Sequence, residues 1–365
     1  MRIVITGGGT GGHLFPALAV HEALLARQPG AEVLFVGSAS GVEATVLPRR
    51  GYAFHGLAAS KVKGAGLAGR GRAALGLPGT VRQAVRILRE FQPAVVFGVG
   101  GYASVPTVLA AALRRTPVVL HEQNAIPGLA NRALGRLARR VAVSFDASAR
   151  FFPAGRTSVT GNPVRADIRP GDPRMARQEL GLSADRFTVF VFGGSQGAHR
   201  LNLATAEALP LLGPLRDRVQ FLHAAGPREL TDVRRAYADA GVAARVEGFF
   251  EEIARCYQAA DFVISRSGAG TVFELAAVGK AALLVPFPHA ANDHQRANAE
   301  ALVQAGAAWT LLDSLCDGPR IAAAIRASQD KPAQRLEMGR RAQALARPDA
   351  ADRIVDLLRQ AAEAA

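Results

Sequence analysis

The sequence predicts an α/β protein made of two doubly wound, Rossmann-like parallel-sheet domains, and three observations predict it. Short apolar runs alternate with helical patterns along the chain, at 2–6, 32–36, 94–98, 117–120 and 140–143, and again at 188–192, 220–224, 245–248, 261–265 and 282–286. Runs that are apolar throughout belong to parallel strands covered on both faces. The segment Ile3-Val4-Ile5-Thr6-Gly7-Gly8-Gly9-Thr10-Gly11-Gly12-His13 is echoed by Phe190-Val191-Phe192-Gly193-Gly194-Ser195-Gln196-Gly197-Ala198-His199. Each is a strand, a glycine turn and a helix start, the opening of a Rossmann-like half. The 365 residues exceed one compact open sheet, and domains hold about 100–200 residues. We therefore expect a first domain at 1–163 and a second at 164–344, linked near Gly161-Asn162-Pro163-Val164-Arg165, with a closing helix within 345–365 packing back on the first.

Composition narrows the class. Apolar residues are 49% and charged residues 20% of the chain, enough for a sizeable core and against disorder. The two cysteines, Cys256 and Cys316, are far apart and lack zinc-type spacing, which excludes a disulfide scaffold and fits a reducing compartment. The net charge of +14 would suit a polyanion or an anionic surface, yet the only lysines are Lys61, Lys63, Lys280 and Lys331. That arginine bias also fits genome composition. With 6% aromatics and no stretch that interleaves them with cations to stack bases, nucleic acid is not the expected partner. Met1-Arg2-Ile3-Val4 leads straight into glycines, without a signal-peptide apolar region. Residues 91–113 carry no charge, but Pro93, Gly98, Gly100, Gly101 and Pro106 divide them into strand, loop and helix rather than a membrane span. A soluble protein is expected.

Three glycine loops follow predicted strands. The first, Gly7-x-Gly9-x-x-Gly12, matches the dinucleotide pattern but lacks the acid at the end of the second strand, which runs Phe35-Val36-Gly37-Ser38, and has no Walker lysine. What remains is a turn whose amides favour an anion or sugar hydroxyls. His13 opens the next helix, as a catalytic base or as a cap. The second loop, Gly193-Gly194-Ser195-Gln196-Gly197, fits a serine nucleophile elbow, with Asp261 and His294 available for a triad; without an HGGG-type segment, phosphate binding is the plainer reading. The third, Ser265-Arg266-Ser267-Gly268-Ala269-Gly270-Thr271, precedes Glu274, a carboxylate suited to accepting from two ribose hydroxyls or to simple charge–dipole stabilisation. Residues 288–298 form a polar rim that includes His294 and Gln295. Neither H-E-x-x-H nor Asp-x-Asp occurs, so no metal and no cofactor is expected.

Taken together, Gly7 to His13, Gly100-Gly101-Tyr102, His121-Glu122-Gln123-Asn124, Gly161 to Arg165, Gly193 to Gly197 and Arg266-Ser267-Gly268 resemble the MurG transferase family of GT-B glycosyltransferases. The resemblance implies two Rossmann-like domains facing a cleft. It also implies inverting transfer of N-acetylglucosamine from UDP-N-acetylglucosamine to the muramic acid 4-hydroxyl of lipid I, giving lipid II. Carried over by position, Thr10, Gly11, Gly12, Asn124, Arg165, Ser195, Glu274 and Gln295 (or its neighbour His294) would contact the donor. Ala269, Gly270, Thr271, Val272, Phe273 and Glu274 would hold diphosphate and ribose, and the backbone at Phe250 would read uracil. His13 would be the base, with Tyr102, His121 and Glu122 on the acceptor side. Lys61, Lys63, Arg70, Arg72, Arg82 and Arg86, interleaved with Leu75, Leu77, Val81, Val85 and Leu88, resemble the family's patch for docking on anionic membrane at the cytoplasmic face. Another UDP-sugar enzyme of the fold, such as a 2-epimerase, or a serine hydrolase using Ser195, are the alternative readings.

Overall fold

Parallel strands must be joined by crossovers over the sheet faces, and this requirement shapes the whole chain. The structure, a computed structural model, describes residues 1–9, 11–58 and 67–364, with 67–75 followed as backbone alone. Thr10, Lys61 and Lys63, and the side chains of Arg70, Arg72 and Leu75, lie outside the described residues. The chain divides into two units, one of Met1–Arg165 with Arg347–Ala365 and one of Ala166–Ala346.

Unit 1 holds β1 (Arg2–Thr6), β2 (Glu32–Ser38), β3 (Phe54–Leu57), β4 (Val95–Gly98), β5 (Val118–Glu122), β6 (Arg140–Val143) and β7 (Thr157–Val159), in the order β3-β2-β1-β4-β5-β6-β7. Every pairing is parallel. Successive side chains point to opposite faces, so each strand feeds two cores. Ile3, Ile5, Phe35, Phe97 and Val119 meet Leu18 and Leu24 of the helix Gly11–Arg27 on one face. Val4, Val36, Val96, Leu120 and Val141 meet Ala84, Ile87, Leu88, Val108 and Ala111 on the other. The helix Ala350–Glu363 belongs to this unit, and its Ile354, Val355, Leu358 and Ala361 enter the first of these cores. Arg27 grips it through Asp352 and Asp356, at 3.7 and 2.6 Å.

The helix Leu67–Phe91 carries the basic segment. Arg82 and Arg86 are exposed, and Arg86 pairs with Glu90 at 2.8 Å. Val81 and Val85 are partly buried and pack against the same core as Ile87 and Leu88. Leu77 is half-buried.

Unit 2 repeats the design with β8 (Phe187–Phe192), β9 (Val219–Ala224), β10 (Ala244–Glu247), β11 (Phe262–Ser265), β12 (Ala282–Leu284) and β13 (Ala308–Thr310), ordered β10-β9-β8-β11-β12-β13 and parallel throughout. Val189, Val191, Phe221, Ile264 and Leu283 build one core with Leu201, Ile321 and Ile325. On the other face Phe190 packs edge-on against Tyr257 at 5.6 Å and Phe250 at 6.1 Å. The strands β3, β7 and β13 were absent from the sequence expectation; each lies at an edge of its sheet, is three or four residues long and is only partly buried.

His223, on β9, is fully buried, bonded through Nε2 to Asn202 Oδ1 at 3.0 Å and through Nδ1 to the Tyr237 hydroxyl at 3.1 Å. Burial pushes its pKa from 6.5 down to about 3. Between those values the unfolded chain binds a proton that the native chain does not, so stability falls as pH falls through that window. One such group removes up to about 1.4 kcal/mol per pH unit. Urea unfolding followed by the fluorescence of Trp309, the single tryptophan, should show this decline between pH 7 and 5. His223→Gln should give a shallower slope; an equal slope would mean that His223 does not titrate differently in the two states.

Candidate functional site

In each unit the strand order reverses once, between β1 and β4 and between β8 and β11. There the crossovers leave toward opposite faces and the C-terminal strand ends stay uncovered, which is where ligands bind in open α/β sheets. All three glycine loops lie at these two places.

In unit 1 the loop after β1 passes Gly8 at φ 139°. A Cβ on Gly8 would overlap the carboxyl group of Glu43, because this buried side chain spans the loop: Oε2 accepts from the Gly9 amide at 2.8 Å and Oε1 from the Ser38 amide at 2.9 Å. The helix Gly11–Arg27 then opens with no acid in its first turn, so no carboxylate there offsets its positive end. His13 Nδ1 lies 3.2 Å from Gln123 Oε1. Gln123 Nε2 donates to the Val99 carbonyl at 2.7 Å and meets His121 Nδ1 at 3.2 Å; His121 Nε2 meets Ser144 Oγ at 3.1 Å. The ring of Tyr102 sits against Gly9, and its hydroxyl is buried with no hydrogen-bond partner among the described residues.

Two residues assigned to the acceptor side are buried. His121 is 0% and Glu122 2% exposed. Burial takes the His121 pKa to about 3, so its ring is neutral. Burial also raises the pKa of Glu122, opposed by hydrogen bonds to its carboxylate. That carboxylate accepts from the Asn124 amide at 2.9 Å, Asn124 Nδ2 at 3.2 Å, Asn131 Nδ2 at 2.9 Å and the Gly128 amide at 3.3 Å. Glu122 therefore shapes the loop that carries Asn124. Arg165 lies over the ring of Phe15 at 5.5 Å, within unit 1.

In unit 2 the loop after β8 leaves Ser195 exposed. Gly197 is required at φ 75°, since a Cβ there would strike the Ala225 carbonyl oxygen, and Asn202 Nδ2 holds that oxygen at 2.7 Å. The geometry removes the hydrolase alternative. Asp261 precedes β11, at the opposite end of the sheet from Ser195, and is bound to Arg177 and to the Thr188 amide, both at 2.7 Å. Ser195 also lacks the positive φ of a strained elbow.

After β11, buried Arg266 bonds the Val285 and Pro286 carbonyls and pairs with Asp313 at 2.6 Å, which fixes the start of the helix Ala269–Val278. Gly270 and Thr271 lie in its first turn, followed by buried Val272 and Phe273. Glu274 accepts from the hydroxyl of fully buried Tyr257 at 2.8 Å. Gln295 stands beside this turn: its backbone carbonyl accepts from Ser267 Oγ at 2.8 Å, and its Oε1 from the Phe287 amide at 2.9 Å. Neighbouring His294 bonds the Ala291 carbonyl at 2.7 Å. The Phe250 side chain is core. Sequence reasoning missed Glu43, Asn131, Asn202 and Tyr257, which carry no motif. Among the described residues no cluster of His, Cys, Asp or Glu could hold a metal, and no helix is long and apolar enough to cross a membrane.

Comparison with known proteins places these features in a family. Residues 3–143 match the glycosyltransferase family 28 N-terminal domain and residues 188–354 its C-terminal domain. The UDP-N-acetylglucosamine–N-acetylmuramyl-(pentapeptide) pyrophosphoryl-undecaprenol N-acetylglucosamine transferases of Geobacter metallireducens and Geobacter sulfurreducens are 45% and 44% identical, each over 98% of this chain and 97% of their own length. The crystal structure of Acinetobacter baumannii MurG aligns with a TM-score of 0.76 at 31% identity, over 98% of this chain and 99% of that one. The chain belongs to glycosyltransferase family 28 and, within it, to the MurG transferases.

Proposed function

We propose that this chain transfers N-acetylglucosamine from UDP-N-acetylglucosamine to the 4-hydroxyl of N-acetylmuramic acid in lipid I, with inversion, forming lipid II. The observation that carries the reading is full-length likeness to transferases whose names specify that donor and acceptor. The two glycine-lined switch points, with a histidine at one and a carboxylate at the other, supply the chemistry it needs.

Unit 2 holds the donor. Amides at the start of the helix Ala269–Val278 and in the Ser195 loop receive the diphosphate, Glu274 accepts from the ribose hydroxyls, and backbone at Phe250 meets uracil. In unit 1, His13 takes the proton of the acceptor hydroxyl as its oxygen attacks the anomeric carbon. The bond from that carbon to the phosphate oxygen breaks, and its electron pair leaves with UDP. Positive helix ends and amides stabilise the charge that develops there. Tyr102 stands on the acceptor side with His13, and Gln295 meets the sugar. The protein is peripheral, working at the cytoplasmic face on anionic membrane, where its acceptor is anchored.

The deciding measurement is UDP release from UDP-N-acetylglucosamine that requires a lipid I analogue. His13→Ala should lower kcat by about 10²–10⁴, the usual contribution of a positioned base, with UDP affinity nearly unchanged. An unaltered kcat would remove His13 from the chemistry.

Glu274→Ala should raise the donor KM by about one to two orders of magnitude, as expected for a charged hydrogen bond worth roughly 1.5–3 kcal/mol. Donors lacking the ribose 2′- or 3′-hydroxyl should then lose little more. Discrimination as strong as in the wild type would refute the ribose role.

Replacing Arg70, Arg72, Arg82 and Arg86 with Gln should release the protein from anionic vesicles, each cation contributing about 1 kcal/mol, while activity on a short-chain soluble acceptor persists. Equal co-sedimentation of both proteins would make this a solvated helix.

A further inference from the structure

One hydrogen-bonded chain in unit 1 has its direction determined at its far end. The Val99 carbonyl can only accept, so the group 2.7 Å from it must be the amide nitrogen of Gln123. The second hydrogen of that nitrogen points to His121 Nδ1 at 3.2 Å, which therefore accepts. His121 Nε2 then carries the ring proton and donates to Ser144 Oγ at 3.1 Å. Complete burial keeps this ring neutral, with its pKa near 3, and so keeps Nδ1 an acceptor. With its nitrogen committed, Gln123 turns its oxygen to His13 Nδ1 at 3.2 Å. An amide oxygen has no proton to give, so Nδ1 must bear the hydrogen and the lone pair of the neutral ring lies on Nε2. The Nε2 edge runs alongside Gly101, where a Cβ would stand 3.5 Å away.

We propose that Gln123 is a positioning residue for the transfer, holding His13 as its Nδ1–H tautomer so that Nε2 faces the acceptor hydroxyl as the base. This rests on the reading of His13 as base. An unconstrained neutral imidazole prefers the opposite tautomer, with the lone pair on Nδ1, where it would be turned from the substrate. His121 on β5 is an ionisable group close enough to His13 to interact with it electrostatically.

Nitrogen-15 correlation spectra of the full-length protein with labelled histidine report the tautomer directly, without turnover. Wild-type His13 should be protonated at Nδ1, and Gln123→Met should move it toward the Nε2–H form. In the same variant kcat should fall about 10- to 100-fold, part of what a base contributes, while the donor KM stays within about twofold. Gln123→Glu separates positioning from packing. A carboxylate still accepts from Nδ1–H and stabilises the imidazolium, so this variant should exceed Gln123→Met in kcat and shift the acid limb of the pH profile upward. If Gln123 only fills space, the order reverses, because a buried carboxylate costs more than a thioether. Wild-type His13 found as the Nε2–H form, or wild-type kcat in Gln123→Met, overturns the proposal. If Gln123→Met does not fold, the wild-type spectrum decides. An unchanged kcat in His13→Ala would instead overturn the base itself, leaving the measured tautomer as it stands.

Discussion

A parallel sheet cannot close its own C-terminal edge where the strand order turns back on itself, and both units are organised around that constraint. Helices cover the sheet faces, but at β1/β4 and at β8/β11 they diverge and leave backbone amides facing outward. Glycines are needed there because the chain must bend sharply and pass close to its neighbour. Such loops have little packing of their own to fix them. In unit 1 Glu43 spans the turn, and in unit 2 Asn202, itself held by His223, secures the carbonyl against which Gly197 rests.

Two carboxylates in unit 1 show how burial alone misleads about role. Glu43 and Glu122 are both nearly inaccessible, and each is surrounded by N–H donors from loops that meet a ligand-binding edge. Glu43 accepts two hydrogen bonds and Glu122 four, partners that a buried carboxylate needs. Glu274 differs: it keeps partial exposure, and one buried tyrosine hydroxyl orients it. Accessibility separates Glu274 from the two carboxylates that shape loops.

Much of this was legible in the sequence, for identifiable reasons. Central strands are buried on both sides and read as continuous apolar runs, whereas Phe54–Leu57, Thr157–Val159 and Ala308–Thr310 are short edges with mixed character and no such signal. Glycine loops announce themselves because few other residues accept their backbone angles. His13 and Glu274 could be singled out by their distance from those loops. Glu43 could not, since it meets Gly9 across 34 positions and nothing local marks it. The histidine and glutamate of His121-Glu122-Gln123-Asn124 are assigned to the acceptor side by family resemblance alone, which carries no information on burial. The structure turns both inward, and only the loop that follows lies at the surface.

The closing helix bears on how the molecule is made. Ile354, Val355 and Leu358 complete a core whose other members include Ile3, Ile5 and Leu18, and the whole of unit 2 lies between them in the chain. During synthesis the amino-terminal sheet emerges first, yet one face of it waits until the last helix has cleared the ribosome. Unit 2, contiguous in sequence, has every residue of its own core in hand sooner. The unit whose first strand is translated earliest is thus the one whose core lacks a member until the closing helix is made.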